Sequence, residues 1–293
     1  MSKKITVDSN QSISNVVFSD DLTTIIIQLP ILLLSIILAI GYTILILSRS
    51  IFRSNKLNWF TINVCLTSAW LCILIFGIQI QQLLTISSRL TCRLQGYLSD
   101  MTACQLMYSH CVVAISRLFT IVHANKHFFR SNIYIWICIG CGWLVAFLIA
   151  LPYLFADGFT CSITTQATFL PYYTLITTLF IPITIVTVCN ARIFLFVHQS
   201  TRRVRATGTG NQVSHSRDVF LLKTMIGTFI VFFIGWTPSF VIQMFNKNDS
   251  IPRFLDACFR ILPSLTILHD VIFLIYMNQP VRSFLKQIII HRP

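Results

Sequence analysis

The chain has 293 residues, 55% of them hydrophobic and 11% charged, with a mean hydropathy of +0.75. That balance excludes an ordinary soluble domain, which needs far more charge to cover its surface. A net charge of +13 on so apolar a chain suits anionic lipid headgroups and an acidic cytosolic partner, and argues against nucleic acid.

In chain order, residues 1–21 are polar, with no apolar core and no small-residue cleavage site, so they read as a tail and not as a cleaved signal peptide. Seven apolar runs follow at 22–47, 58–84, 94–122, 133–155, 170–198, 219–245 and 254–277. Each has about 20 residues or more, enough to cross a ~30 Å hydrocarbon layer as a helix. Residues 279–290 read as a short amphipathic helix lying at the interface. The expected fold is an all-α membrane protein: an outer tail (1–21), a seven-helix bundle (22–278), and an interfacial eighth helix with a short tail (279–293). No internal repeat, second domain, metal-ligand spacing, phosphate-binding glycine loop or catalytic pair is visible, so neither an enzyme nor a cofactor is expected.

Fifteen of the 22 Lys and Arg residues fall after the first, third, fifth and seventh spans. This places the N-terminus outside and the C-terminus in the cytoplasm, in a plasma-membrane protein crossing several times. The sequon at Asn10 lies in the outer tail, and a second, at Asn248, lies in a short outer loop close to the membrane. Of the nine acids, all aspartates, only Asp218 falls near the cytoplasmic face.

Arg117 closes the third span, in the stretch AISRLFTIVH (114–123). Cys92 heads the same span, 25 residues earlier, a separation of about 37 Å along a helix. Taken alone, Arg117 could be a snorkelling anchor at a helix end. Its companions change that reading. Cys161 follows the fourth span, Trp143 lies within it, Pro182 lies within the fifth, and FFIGWTP (232–238) within the sixth. In this order and spacing the chain resembles the rhodopsin-like G-protein-coupled receptors over nearly its whole length. Arg117 takes the arginine of their Asp-Arg-Tyr motif, here Ser116-Arg117-Leu118, while Trp236, Pro238 and Phe232 match the sixth-helix switch, with Gly235 where a cysteine is usual. The resemblance implies a disulfide from Cys92 to Cys161.

The departures are as informative. Tyr42 stands where the family has a first-helix asparagine, and Asn190 where it has a fifth-helix tyrosine. Read as the second-helix motif, Leu66-Thr67-Ser68-Ala69-Trp70 puts tryptophan in place of a sodium-binding aspartate, and the sodium site is not carried over. In the seventh helix, Asp270-Val271-Ile272-Phe273-Leu274 replaces Asn-Pro-x-x-Tyr, which makes Asp270 part of the activation switch with Pro182.

The resemblance implies coupling of an extracellular ligand to a heterotrimeric G protein. Asp218, 18 residues before Trp236, is the expected partner of Arg117 in an interhelical lock, because Ser116 supplies no acid. Loss of a charge-assisted contact of roughly 1.5–3 kcal/mol would let the sixth helix swing about Pro238. Phe128 or Phe129 is the apolar knob offered to the G protein. Ser264 occupies the retinal lysine position, and residues 261–281 hold no lysine, which excludes an opsin. Ser99 occupies the position of the amine-receptor aspartate. The neighbouring Asp100 is a contact for a cationic ligand group or, alternatively, a carboxylate partnered inside the bundle. Thr/Ile alternation around Cys161 (157–168) suggests a hairpin over the pocket, as in peptide-binding members, with a small chemosensory ligand as the alternative. A receptor fold without signalling is a further alternative, and a transporter or channel, with only Asp100 and Asp270 deep in spans, a weaker one.

Overall fold

The structure, a computed structural model, describes residues 6–53, 57–84, 89–122, 127–155, 169–207, 227, 229–242 and 252–290. Eight main helices account for most of them: α1 (Thr6–Ser48), α2 (Leu57–Leu84), α3 (Arg89–Val122), α4 (Asn132–Ala150), α5 (Phe169–Thr174, Leu175–Phe180 and Ile181–Thr207), α6 (Phe229–Ile242), α7 (Arg253–Met277) and α8 (Gln279–Ile290). No strand occurs among the described residues. Among the described residues, six helices are long and apolar enough to cross a membrane, and α6 is a shorter apolar helix.

The span ends lie close to those read from hydropathy, because length and composition alone decide them. For the sixth span the described portion is Phe229–Ile242. At the N-terminus, α1 starts at Thr6, well before its apolar span of Leu22–Ser48. No glycine or proline interrupts residues 6–21, and an existing helix propagates at one new hydrogen bond per residue. The backbone of the expected tail is therefore helical from Thr6.

The lipid-facing surface is built from large apolar side chains such as Ile37, Leu144, Phe194 and Phe254, all more than half exposed. Inside, α3 runs through the middle of the bundle and contacts α2, α4 and α5. Its Leu106 and Met107 join Leu71, Leu179, Phe232, Trp236 and Ile267 in one core. Ser131 caps α4 by accepting the Tyr134 N–H at 3.1 Å, which fixes where that helix begins.

Asn278 breaks the chain between α7 and α8, and its amide donates to the Tyr42 hydroxyl (2.7 Å) and to Asn58 Oδ1 (3.0 Å). Tyr42, which replaces the family's asparagine, thus holds the α7–α8 elbow from α1. Beyond it, Val281 and Phe284 face the core against Phe52, while Lys286 and Gln287 are exposed. Arg49 and Arg282 lie over the Phe284 and Tyr276 rings at 5.1 and 5.3 Å. This is the amphipathic eighth helix expected from sequence.

Candidate functional site

Three helices are clamped by one polar chain. Trp143 Nε1 of α4 donates to Asn63 Oδ1 of α2 at 3.0 Å, and Asn63 Nδ2 donates to Ser109 Oγ of α3 at 2.8 Å. Ser109 in turn donates to the Gln105 carbonyl at 2.7 Å. Both ends of the Asn63 amide are used, so α2, α3 and α4 are held in one register. Hydrogen bonds of this kind join membrane helices where water cannot compete.

Pro182 shapes α5. The stretch Leu175–Phe180 before it is π-helical, with the Ile181 N–H bonded to the Ile176 carbonyl. In that register the next bond would run from residue 182 to the Thr177 carbonyl, and proline has no N–H to give. The Tyr108 hydroxyl of α3 donates to that carbonyl instead, at 3.0 Å, and the Cys111 thiol reaches the Pro182 carbonyl at 3.6 Å. The fifth-helix irregularity is therefore satisfied from α3. Sequence reading singled out Pro182 but not Tyr108.

On α6, Phe232, Trp236 and Phe240 form a continuous buried stack, with centroid separations of 5.4 and 6.0 Å. One turn separates each from the next, so all three lie on the face turned toward the core. Trp236 Nε1 has no hydrogen-bond partner among the described residues. Gly235 touches α7: a Cβ there would stand 2.0 Å from Thr266 Cγ2. The cysteine usual at this position would fit only if the Thr266 side chain moved. Pro238 lies on the outer side of α6, lining a lipid-facing groove with Phe233, Thr237 and Phe259.

Below the stack lies a buried pair, of which sequence reading singled out Asp270 but not His110. His110 Nε2 of α3 stands 3.4 Å from Asp270 Oδ2 of α7, and the Asp270 side chain is 2% exposed. The His110 ring also packs on Phe232, 5.6 Å between centroids. The sequence signal for the pair was available: two ionisable side chains deep in different spans. Here a sequence-level expectation also needs correcting. Trp70 is 46% exposed on the lipid face, so it neither fills the bundle centre nor occupies the aspartate position. Ser68, two residues earlier and about 200° around the helix, is the residue turned inward. Asn63, through its bond to Trp143, sets that register.

Near the outer end, Asp100 is buried, with Tyr153 and Cys104 as side-chain partners. Tyr153 continues to Thr174 of α5 at 2.5 Å. The carboxylate thus has partners inside the bundle, the second of the two readings left open by the sequence. Ser99 is half-buried, and its hydroxyl has no hydrogen-bond partner among the described residues. Ser264 is buried in α7.

At the opposite end, Ser116 is buried and Arg117 half-buried. Phe129 is stacked on Phe119 at 4.7 Å and packs edge-on against Tyr134, whereas Phe128 is 54% exposed. Of the two phenylalanines, Phe128 is the one presented outward. Asp218 and Cys161 lie outside the described residues, as do the side chains of Cys92 and Asn10 and the outer segment 157–168.

An apolar helical bundle with a central α3, a proline-distorted α5, an aromatic stack on α6 and an arginine at the inner end of α3 defines a multi-pass membrane receptor. The model of the seven-transmembrane receptors of the rhodopsin family matches residues 15–278, and the chain belongs to that family. Among curated proteins it is similar to the melatonin receptor type 1C of Xenopus laevis, with 22% identity over 216 residues. The match covers 68% of this chain and 50% of that receptor, so the chain spans about half the length of the relative it matches.

Proposed function

We propose that the protein is a G-protein-coupled receptor that turns the binding of an extracellular ligand into outward movement of α6 at the cytoplasmic face. The observation that carries this reading is the continuity from Trp236 through Phe232 to His110 and Asp270, which joins α6 to α3 and α7 in the same core. A ligand pressing on Trp236 from outside moves a stack whose lower end lies seven residues, about two turns, above Arg117. In this reading the N-terminus is outside, Arg117 and Asp218 form the resting lock, and Phe128 contacts the G protein. The Cys92–Cys161 disulfide ties the outer loop over the bundle, and Asn10 carries glycan.

The ligand has two readings. A neuropeptide-like ligand is supported by the Thr/Ile alternation at 157–168. A small uncharged ligand is favoured by Asp100, whose carboxylate is already engaged by Tyr153 and Cys104, while Ser99 Oγ and Trp236 Nε1 still have hydrogen-bonding capacity. The similarity to a protein named as a melatonin receptor also supports a small molecule.

Basal nucleotide exchange on a panel of G proteins, in membranes and at matched surface levels, tests the reading without a ligand. Asp218→Asn is expected to raise exchange on the order of tenfold or more, as loss of a charge-assisted contact allows, and Arg117→Ala to abolish it. No change from either substitution, in a wild type that does exchange, contradicts the lock.

A further inference from the structure

Asp270 is the most enclosed charge-bearing group in the described bundle, and its surroundings explain little of it. Neither carboxylate oxygen receives a hydrogen bond among the described residues. A carboxylate in that state is costly in a membrane interior unless a cation stands beside it. The groups that face it can be named helix by helix. From α2 comes Cys65, within electrostatic reach. From α6 comes the Phe232 ring, and from α3 comes His110 at 3.4 Å. His110 alone among these can carry positive charge.

We propose that His110 is the fixed counter-cation of Asp270, a built-in charge in place of the exchangeable sodium ion of the family's sodium site. The residues here do not fit that ion. A hard cation wants several oxygen ligands, and the one carboxylate of this centre already has an imidazole against it. An imidazolium at 3.4 Å from Oδ2 also repels any second cation that approaches the same oxygen. The substitution has a structural consequence. A sodium ion can leave the bundle, whereas His110 is tethered to α3 and packs on Phe232. The charge balance of α7 therefore cannot change without a change in the contact between α3 and α6. His110 is a positioning residue in this scheme: it couples Asp270 to the aromatic stack through its own ring.

The proposal is tested on the purified full chain in lipid nanodiscs, by thermal melting in sodium chloride and in equimolar choline chloride, with no signalling required. Wild type is expected to melt at the same temperature in both salts. His110→Leu and Asp270→Leu should each lower Tm by on the order of 10 °C, since each leaves one buried partner uncompensated. The double variant should recover most of that loss. His110→Asn, which keeps a hydrogen-bond donor but no charge, should be destabilised in choline like His110→Leu. A wild-type Tm that rises in sodium overturns the proposal, as does a His110→Asn protein as stable as wild type. Strictly additive losses in the double variant also overturn it. If a single variant fails to fold, the wild-type comparison of the two salts still decides.

Discussion

Two polar centres lie a few ångströms apart along α3 and are built in opposite ways. Around Ser109, the chain from Trp143 through Asn63 to the Gln105 carbonyl is bonded at every step at 2.7–3.0 Å, and Gln105 Nε2 adds a bond to Ser109 at 3.3 Å, which leaves Gln105 Oε1 without a partner among the described residues. Around His110, the next residue, the carboxylate it faces receives no hydrogen bond among the described residues and relies on a single 3.4 Å contact. Successive residues on a helix point about 100° apart, so α3 presents a finished joint to α2 and α4 and an unfinished one to α6 and α7. A closely bonded network resists change because rearrangement strands further buried donors or acceptors. A pair held by one 3.4 Å contact beside an aromatic stack can shift without breaking a hydrogen bond. The difference separates the molecule into a scaffold half and a half suited to move.

Substitutions can break or sharpen this division. The largest effect is expected at the seam between α6 and α7. Gly235→Cys would push a side chain into that of Thr266, and overpacking of this kind costs about 1–3 kcal/mol. Surface expression and Tm should both fall sharply, and Thr266→Ala should restore part of each. In the scaffold half, Asn63→Leu removes both bonds of the clamp and leaves the Trp143 indole stranded, at about 1–3 kcal/mol. That loss should appear in Tm, while exchange per folded receptor stays unchanged. A comparable rise in basal exchange would mean the clamp belongs to the moving half. The smallest effect is expected from Tyr108→Phe, which removes one hydroxyl from the Thr177 carbonyl. A loss of about 1 kcal/mol should shift Tm by roughly 2–4 °C.

The fold was legible in the sequence to an unusual depth because membrane spans are dictated by length and apolar composition. Arg117, Phe232 and Trp236 were singled out on another ground, the resemblance of their order and spacing to the family's motifs. The second helix was misread by two positions. It has no proline, aspartate or other intrinsic marker near Ser68, and its register is set from outside by the Asn63–Trp143 bond. A two-residue shift on a helix moves a side chain to nearly the opposite face, which is how Trp70 was assigned to the centre and is found against lipid. His110 and Tyr108 were missed because each has meaning only through a partner more than sixty residues away. A histidine in α3 and an aspartate in α7, both deep in apolar spans, were the one hint of the pair.

The claim that α6 moves while α2, α3 and α4 hold together is tested most directly by distance measurement. Spin labels on genetically encoded residues would replace the exposed Ile133 of α4, Ile230 of α6 and Ile51 beside α1. Pulsed dipolar spectroscopy would then compare the receptor alone with the receptor bound to nucleotide-free G protein. The account predicts that the separation of positions 133 and 230 lengthens by several ångströms while that of 133 and 51 is unchanged. Equal shifts in both pairs, or no shift in either on G-protein binding, would contradict it.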